Sequence, residues 1–197
     1  TVVSALKNSA RLDFANLPRD YIAYTIEFYP EEGKYHFDGH RLCQIRSSAK
    51  ETRKYQGLCP KCRKPLTVGV MNRVEELATR SEKDALEYGK KHRPPFKKIV
   101  PLAEIIANTL NQGVSTKKVR EAYDSLIREG GEEFRVLLDM TLSELSSIAS
   151  CDLVEGIRRV RQGEITITPG YDGVYGEIKI FTDKERSKQR GAQAAMF

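Results

Sequence analysis

Three of the chain's four cysteines fall inside twenty residues, and a histidine accompanies them at metal-ligand spacing. His40-Arg41-Leu42-Cys43 supplies an H-x-x-C pair, and Cys59-Pro60-Lys61-Cys62 supplies a C-x-x-C pair after fifteen intervening residues. A two-residue spacer lets one tight turn aim both donors at a single ion, and the gap fits a loop or hairpin that joins the two turns. Three thiolates and an imidazole suit tetrahedral zinc and leave no position for an activated water, so the ion is expected to be structural. His36 and Asp38 stand as alternative donors should His40 point elsewhere. A redox role for the C-x-x-C would need a helix N-terminus after a strand; Pro60, Arg63 and Pro65 favour a turn instead. Free thiols in a turn are the bland reading of the same residues. The remaining thiol, Cys151, is expected to be an inert core residue, and the pattern does not read as a disulfide framework. With no export signal visible, the reducing cytoplasm is the expected compartment.

Charge concentrates on the same segment. The chain carries a formal +6, yet residues 41–64 alone carry +7 (Arg41, Arg46, Lys50, Arg53, Lys54, Lys61, Arg63 and Lys64 against Glu51), so the remainder sums to −1. A local basic patch is the footprint of a polyanion partner, because each Lys or Arg that displaces a phosphate counterion adds salt-sensitive affinity. A solvated face would have the same composition, but coincidence with the cysteines favours nucleic acid. Zinc with three thiolates carries a net −1, which Arg41, Lys61, Arg63 and Lys64 more than offset. These four and Lys54 are the candidate phosphate contacts on the finger. No apolar run approaches the ~20 residues that span a bilayer, so no membrane partner is expected.

Along the chain, residues 1–20 are weakly patterned and Tyr21 to Tyr29 reads as a strand closed by Pro30. Leu66 to Val70 reads as a second short strand. Asn72 is placed to cap a helix bearing Val74, Leu77 and Ala78, followed by a polar stretch to Pro94-Pro95. Leu102, Ile105, Ile106, Thr109 and Leu110 line one helical face behind Pro101. Ser115 is placed to cap a helix ended by Gly130-Gly131. Thr141 with Glu144, and Asp152 with Glu155, have capping-box spacing and predict helices over 142–149 and 153–162, stopped by Gly163. Residues 164–168 alternate as a strand, and a turn-rich 169–173 leads to a final strand near 176–181. The tail after Thr182 is charged and rich in small residues, and is expected to be mobile.

The phrases TIEFYPEEGKYHFDGHRLC (25–43), CPKCRKPLTVGVMNRVEELA (59–78) and PGYDGVYGEIKIF (169–181) together resemble the endonuclease Q family. That family consists of DNA-repair nucleases that cut beside deaminated bases such as hypoxanthine and uracil, and at abasic sites. The resemblance implies an N-terminal polymerase-and-histidinol-phosphatase (PHP) domain holding the catalytic divalent metals, then a zinc-binding domain and a helical C-terminal domain. This chain has three histidines, His36, His40 and His92, too few for a multinuclear hydrolytic site. No residue here is therefore expected to be catalytic, and the chain, which opens on Thr1-Val2-Val3 without methionine, is expected to be the portion after the catalytic domain. It would grip DNA, with the catalytic domain of the same protein as a further partner. An extruded base needs aromatic faces, and Tyr29, Tyr35, Phe37, Tyr171 and Tyr175 are the candidates, each with packing as the alternative role. Glu27, Glu31 and Glu32 could reach the metals of the absent domain or be plain solvated carboxylates. The helices around Ser150 and Cys151 faintly resemble helix-hairpin-helix binders, which adds Arg158 and Arg159, with Arg161 behind them, as candidate DNA contacts. The pair lacks the glycine hairpin that brings backbone amides to a phosphate, and amphipathic structural helices are the alternative reading. No Walker-type loop supports a helicase.

The expected fold class is α+β: a zinc-ribbon-like unit, a small helical domain and a C-terminal β-hairpin. The expected divisions are residues 1–29 as the seam with a preceding catalytic domain, 30–70 as the zinc-binding unit, 71–181 as the helical domain ending in the hairpin, and 182–197 as the tail. The function expected is DNA binding and damaged-base recognition within a repair endonuclease. The alternative is a zinc-stabilised scaffold that docks another protein, and an autonomous metallohydrolase is disfavoured by the histidine count.

Overall fold

The computed structural model describes residues 22–182 and Glu185. In chain order the elements begin with β1 (Thr25–Glu27), a 3-10 turn at Pro30–Glu32, β2 (Asp38–His40), a 3-10 turn at Arg41–Cys43 and β3 (Ile45–Ser47). Three helices follow, α1 (Ala49–Lys54), α2 (Val70–Leu77) and α3 (Glu82–His92), then β4 (Phe96–Lys98). The C-terminal half holds α4 (Leu102–Leu110), α5 (Lys117–Gly130), a π-helical turn at Arg135–Asp139, α6 (Leu142–Ile148), α7 (Cys151–Gln162), β5 (Thr166–Thr168) and β6 (Glu177–Lys179). The class is α+β, with three separate two-stranded sheets among the described residues. No helix of the described residues is long and apolar enough to cross a membrane.

These residues fall into two compact units, 22–27 with 78–97, and 28–77 with 98 onward. That division differs from the one expected at residues 29, 70 and 181. The segment with the candidate metal ligands and the helices share one unit because backbone and side-chain hydrogen bonds tie the former to the C-terminal hairpin. Residues 78–97 leave it because α3 buries none of its side chains.

In the smaller unit β1 pairs with β4, and Thr25 N–H donates to Pro95 O at 2.9 Å. The strand expected over 21–29 thus shrinks to three residues among those described. The stretch expected to be merely polar is the helix α3, started by the Ser81 hydroxyl, which accepts the Asp84 N–H at 3.2 Å. A capped, charge-rich sequence can be helical without an apolar face, which is why periodicity missed it.

In the larger unit α4 packs against α5 and α7, and α6 leans on both α5 and α7. Leu102, Ile105, Ile106, Val119, Leu126, Leu145, Val154, Ile157 and Val160 are buried where these faces meet. Each such side chain contributes about 1.5–3 kcal/mol of burial. Thr141 and Glu144 form the expected capping box at α6. The second box does not form: Ser150 is the N-cap of α7, and Glu155 turns instead to Arg158 and Arg159. Likewise Thr116, not Ser115, takes the N-cap position of α5, and its hydroxyl donates to Gly113 O and makes no capping bond. Gly163 ends α7 in the left-handed conformation at φ +71°. Arg161 crosses to the π-helical turn and donates to the carbonyls of Val136, Leu137 and Met140 at 2.7–2.8 Å. Those carbonyls lack helical partners, so the guanidinium satisfies groups that burial would otherwise orphan.

β5 and β6 pair antiparallel, Ile167 opposite Ile178, and Ile178, Ile180 and Phe181 join the core. The loop between them closes over residues 31–37: Gly170 N–H donates to Glu31 O at 2.8 Å, Gly176 N–H to Glu32 O at 2.9 Å, and Phe37 N–H to Gly170 O at 3.0 Å. A Cβ at Gly176 would sit 2.2 Å from Glu31 O, and one at Gly170 would sit 2.4 Å from Gly33 O. Only glycine permits that approach.

Candidate metal centre and its surroundings

Each pair of candidate ligands sits on a hairpin-like turn. β2 and β3 pair antiparallel with His40 opposite Ile45, and the Arg41–Cys43 turn lies between them. The second turn is closed by a bridge between Leu58 and Pro65, with Cys59 N–H donating to Lys64 O at 2.7 Å and Arg63 N–H to Cys59 O at 2.8 Å. The residue after the last ligand is left-handed in both turns, Gln44 at φ +54° and Arg63 at φ +62°. Neither is glycine, so no residue type announced these bends. A third bridge, Gly39 with Thr67, lays the chain after the second turn beside β2. The arrangement is ribbon-like, with α1 inserted between the turns and held by a capping box of Ser48 and Glu51.

The donor atoms of His40, Cys43, Cys59 and Cys62 all lie within 4.8 Å of one another, and Cys62 Sγ is 3.5 Å from His40 Nδ1. A tetrahedral ion with bonds of ~2.3 Å to sulfur separates its ligands by about 3.8 Å. The four groups can therefore hold one metal ion with little adjustment. Burial opposes ionisation of Cys59, but the backbone N–H groups of Cys62 and Lys61 outweigh it and bring that thiol down to about 7. Cys43 moves the other way, to about 11, pushed by its hydrogen bond with Cys62, by burial and by Cys59. Three thiolates so close together need a cation to balance them.

The alternative donors are used elsewhere. His36 is buried with Nδ1 3.1 Å from Pro30 O. Asp38 is buried and accepts the Gly69 N–H and Asn72 Nδ2, both at 2.6 Å. Asn72 is therefore an interior residue of α2 that anchors this helix to β2, not its cap. The strand expected over 66–70 reduces to isolated bridges at Pro65 and Thr67, because Val70 already begins α2. Cys151 is exposed, not a core thiol, since it occupies the first helical position after Ser150.

The basic candidates separate into two groups. Arg41, Lys54, Lys61, Arg63 and Lys64 are all exposed around or beside the two turns. Lys61 Nζ also donates to Cys43 O at 2.9 Å, linking one turn to the other. Arg158 and Arg159 are instead consumed internally. Arg158 pairs with Glu155 and Glu164 at 2.6–2.7 Å, and Arg159 with Glu155 and Glu185 at 2.8 Å, and both are partly buried. Phosphate would have to displace carboxylates to reach them, which makes them less available than the exposed group on the turns.

The aromatic candidates also divide. Tyr29 is 7% exposed within the core, with Lys98 Nζ 5.0 Å from its ring centre. Phe37 and Tyr171 are half-buried along the joint between residues 31–39 and the hairpin loop. Tyr35 and Tyr175 remain open, at 46% and 71%. Of the acidic candidates, Glu32 is half-buried with its carboxyl raised by burial and by Glu104 and Glu31. Glu31 keeps one carboxylate oxygen buried without a partner, and Glu27 is exposed.

One residue that sequence reasoning did not single out holds the site to the hairpin. Asp172, left-handed at φ +43°, accepts the Arg41 N–H and the Thr67 hydroxyl, both at 2.6 Å. The Asp-Gly pair marks a turn, but nothing local names its distant partners.

Residues 101–164 match the family described as the MJ0043 C-terminal domain. The uncharacterized protein MJ0043 of Methanocaldococcus jannaschii is 37% identical over 155 residues, 79% of this chain and 19% of that protein. The crystal structure of the lesion-specific endonuclease PfuEndoQ from Pyrococcus furiosus matches at TM-score 0.68 and 31% identity, covering 85% of this chain and 42% of that one. The chain is related to endonuclease Q. A second endonuclease Q structure, a complex with a 27-mer duplex substrate carrying an abasic lesion at the active site, matches at TM-score 0.66 and 34% identity over 82% of this chain and 39% of that one. The likeness to endonuclease Q therefore reaches beyond residues 101–164. The chain spans about two fifths of the endonuclease Q structures and about a fifth of MJ0043.

Proposed function

We propose that this chain is the DNA-gripping and damaged-base-recognition portion of a repair endonuclease, and that His40, Cys43, Cys59 and Cys62 hold a structural zinc ion. The single observation that carries the reading is the position of the basic residues: Arg41, Lys61, Arg63 and Lys64 lie on the outer surface of the two metal-binding turns. A metal-stapled turn presents such cations rigidly, which suits a phosphate backbone. Likeness to endonuclease Q, one structure of which holds a duplex with an abasic lesion, supports DNA as the partner. Deaminated bases and abasic sites are the lesions proposed, with phosphodiester cleavage carried by a PHP domain outside this chain.

A second reading, a protein-docking scaffold, is favoured by one observation. Val70, Val74 and Leu77 on α2, with Val68 before it, are 48–63% exposed and form an apolar face on a short helix. Binding of end-labelled DNA with one deoxyinosine, against an undamaged control, at two salt concentrations and with or without Mn²⁺, separates the readings. Salt-dependent binding without cutting supports the first; cutting overturns the assignment of catalysis elsewhere, and no binding favours the scaffold.

A further inference from the structure

Lys34, Tyr35 and Tyr175 converge although 140 residues of sequence separate the two tyrosines. Lys34 Nζ lies 5.6 Å from the centre of the Tyr35 ring and 5.7 Å from that of Tyr175. Both rings are substantially open to solvent, Tyr175 at 71%. The backbone beneath them is nevertheless firmly placed: Gly173 N–H donates to Lys34 O at 2.9 Å, and Gly176 N–H to Glu32 O at 2.9 Å. The position where a Gly173 side chain would begin is 3.6 Å from Arg41 Nη1 and 3.9 Å from the Tyr35 hydroxyl. The aromatic pair therefore adjoins the cationic turn that carries His40 and Cys43.

A rigid backbone that spends glycine-only approaches to hold two rings outside the core is unlike ordinary packing. Single exposed aromatics need no explanation. Two that share one ammonium group beside a basic strip have the composition of a stacking platform for single-stranded nucleic acid, in which ring faces take bases and cations take the backbone.

Building on the DNA-binding reading above, we propose that Tyr35 and Tyr175 stack an unpaired DNA base while Lys34 holds its phosphate, separately from the turns that grip paired backbone. The site takes a base already out of the helix, so it distinguishes single-stranded from duplex DNA with no base-specific hydrogen bond.

The test uses the full chain with two DNA probes, a single strand carrying one 2-aminopurine and the same strand annealed to its complement. Wild type is expected to quench the probe in the single strand. Tyr175→Ala and Tyr35→Ala should each weaken single-strand binding about tenfold, whereas Tyr175→Phe and Tyr35→Phe retain it, because stacking needs the ring and not the hydroxyl. Metal content, melting temperature and duplex affinity should stay unchanged. Alanine variants that bind the single strand like wild type, while Arg63→Glu with Lys64→Glu still weakens duplex binding, overturn the platform and leave the DNA-binding reading intact. Failure of wild type to bind either DNA overturns both.

Discussion

The Asp172 carboxylate accepts the Arg41 backbone N–H at 2.6 Å, joining residues 131 positions apart. Its other oxygen takes the Thr67 hydroxyl, so a single side chain on the hairpin loop holds both the first candidate metal-binding turn and the chain that follows the second. Burial alone would raise this carboxyl, but the Arg41 N–H and the Thr67 hydroxyl outweigh it and the net displacement is downward. A carboxylate depressed in the folded state adds stability above its unfolded value near ~3.9, lost as pH falls through the folded one. Asp172→Ala strands both donors and should cost on the order of 1.5–3 kcal/mol. Thermal melts at pH 7 and pH 3 check this: the difference between wild type and variant should narrow at pH 3.

If His40, Cys43, Cys59 and Cys62 hold the proposed zinc, its removal should act locally. A chelator strong enough to take one equivalent of zinc should raise amide exchange across residues 38–68 and leave α4, α5 and α7 protected, because ligation energy is folding energy for so small a segment. Cys59→Ser should do the same without chelator. Uniform protection after verified metal loss would refute the structural role.

Exposed and internally paired arginines respond differently. Arg63→Glu with Lys64→Glu should weaken duplex binding at least tenfold at low salt and flatten the slope of log K against log salt by about 2. Zinc content should not change. Arg158→Ala should leave DNA affinity untouched and lower the melting temperature, since Arg158 is bonded to Glu155 and Glu164.

Glu155 sits between two arginines, and its hydrogen bonds to Arg158 and then Arg159 bring its carboxyl down to about 2. The stability this confers is complete above the unfolded value of ~4.3 and is lost progressively as pH falls through the folded value. Glu155→Gln should cost on the order of 1–2 kcal/mol at pH 7, after allowance for solvent screening of a partly exposed group. Chemical denaturation at pH 7 and pH 2.5 should show a clearly smaller loss at the latter, where the contribution is fading but not yet gone.

Spacing in the sequence was enough to name His40, Cys43, Cys59 and Cys62, because two-residue spacers act within one turn and need no knowledge of the rest of the chain. Helical periodicity located α4, α5 and α7 for a similar reason: their apolar faces are written every three or four residues and survive burial unchanged. The α6 capping box was also legible, being local, but the Asp152 and Glu155 spacing misled, since Arg158 and Arg159 offered Glu155 better partners one turn on. Everything that depended on distant neighbours waited for tertiary structure. Arg158 and Arg159 look like Arg63 in sequence, and only the folded chain shows that Glu164 and Glu185 occupy them. Tyr29 and Tyr175 are likewise the same residue type, yet one is buried in the core and the other stands in solvent. Local spacing picked out the four residues that can hold a metal ion and most helices, whereas long-range hydrogen bonds, such as Asp172 to Arg41, decided which charged and aromatic residues remain available at the surface.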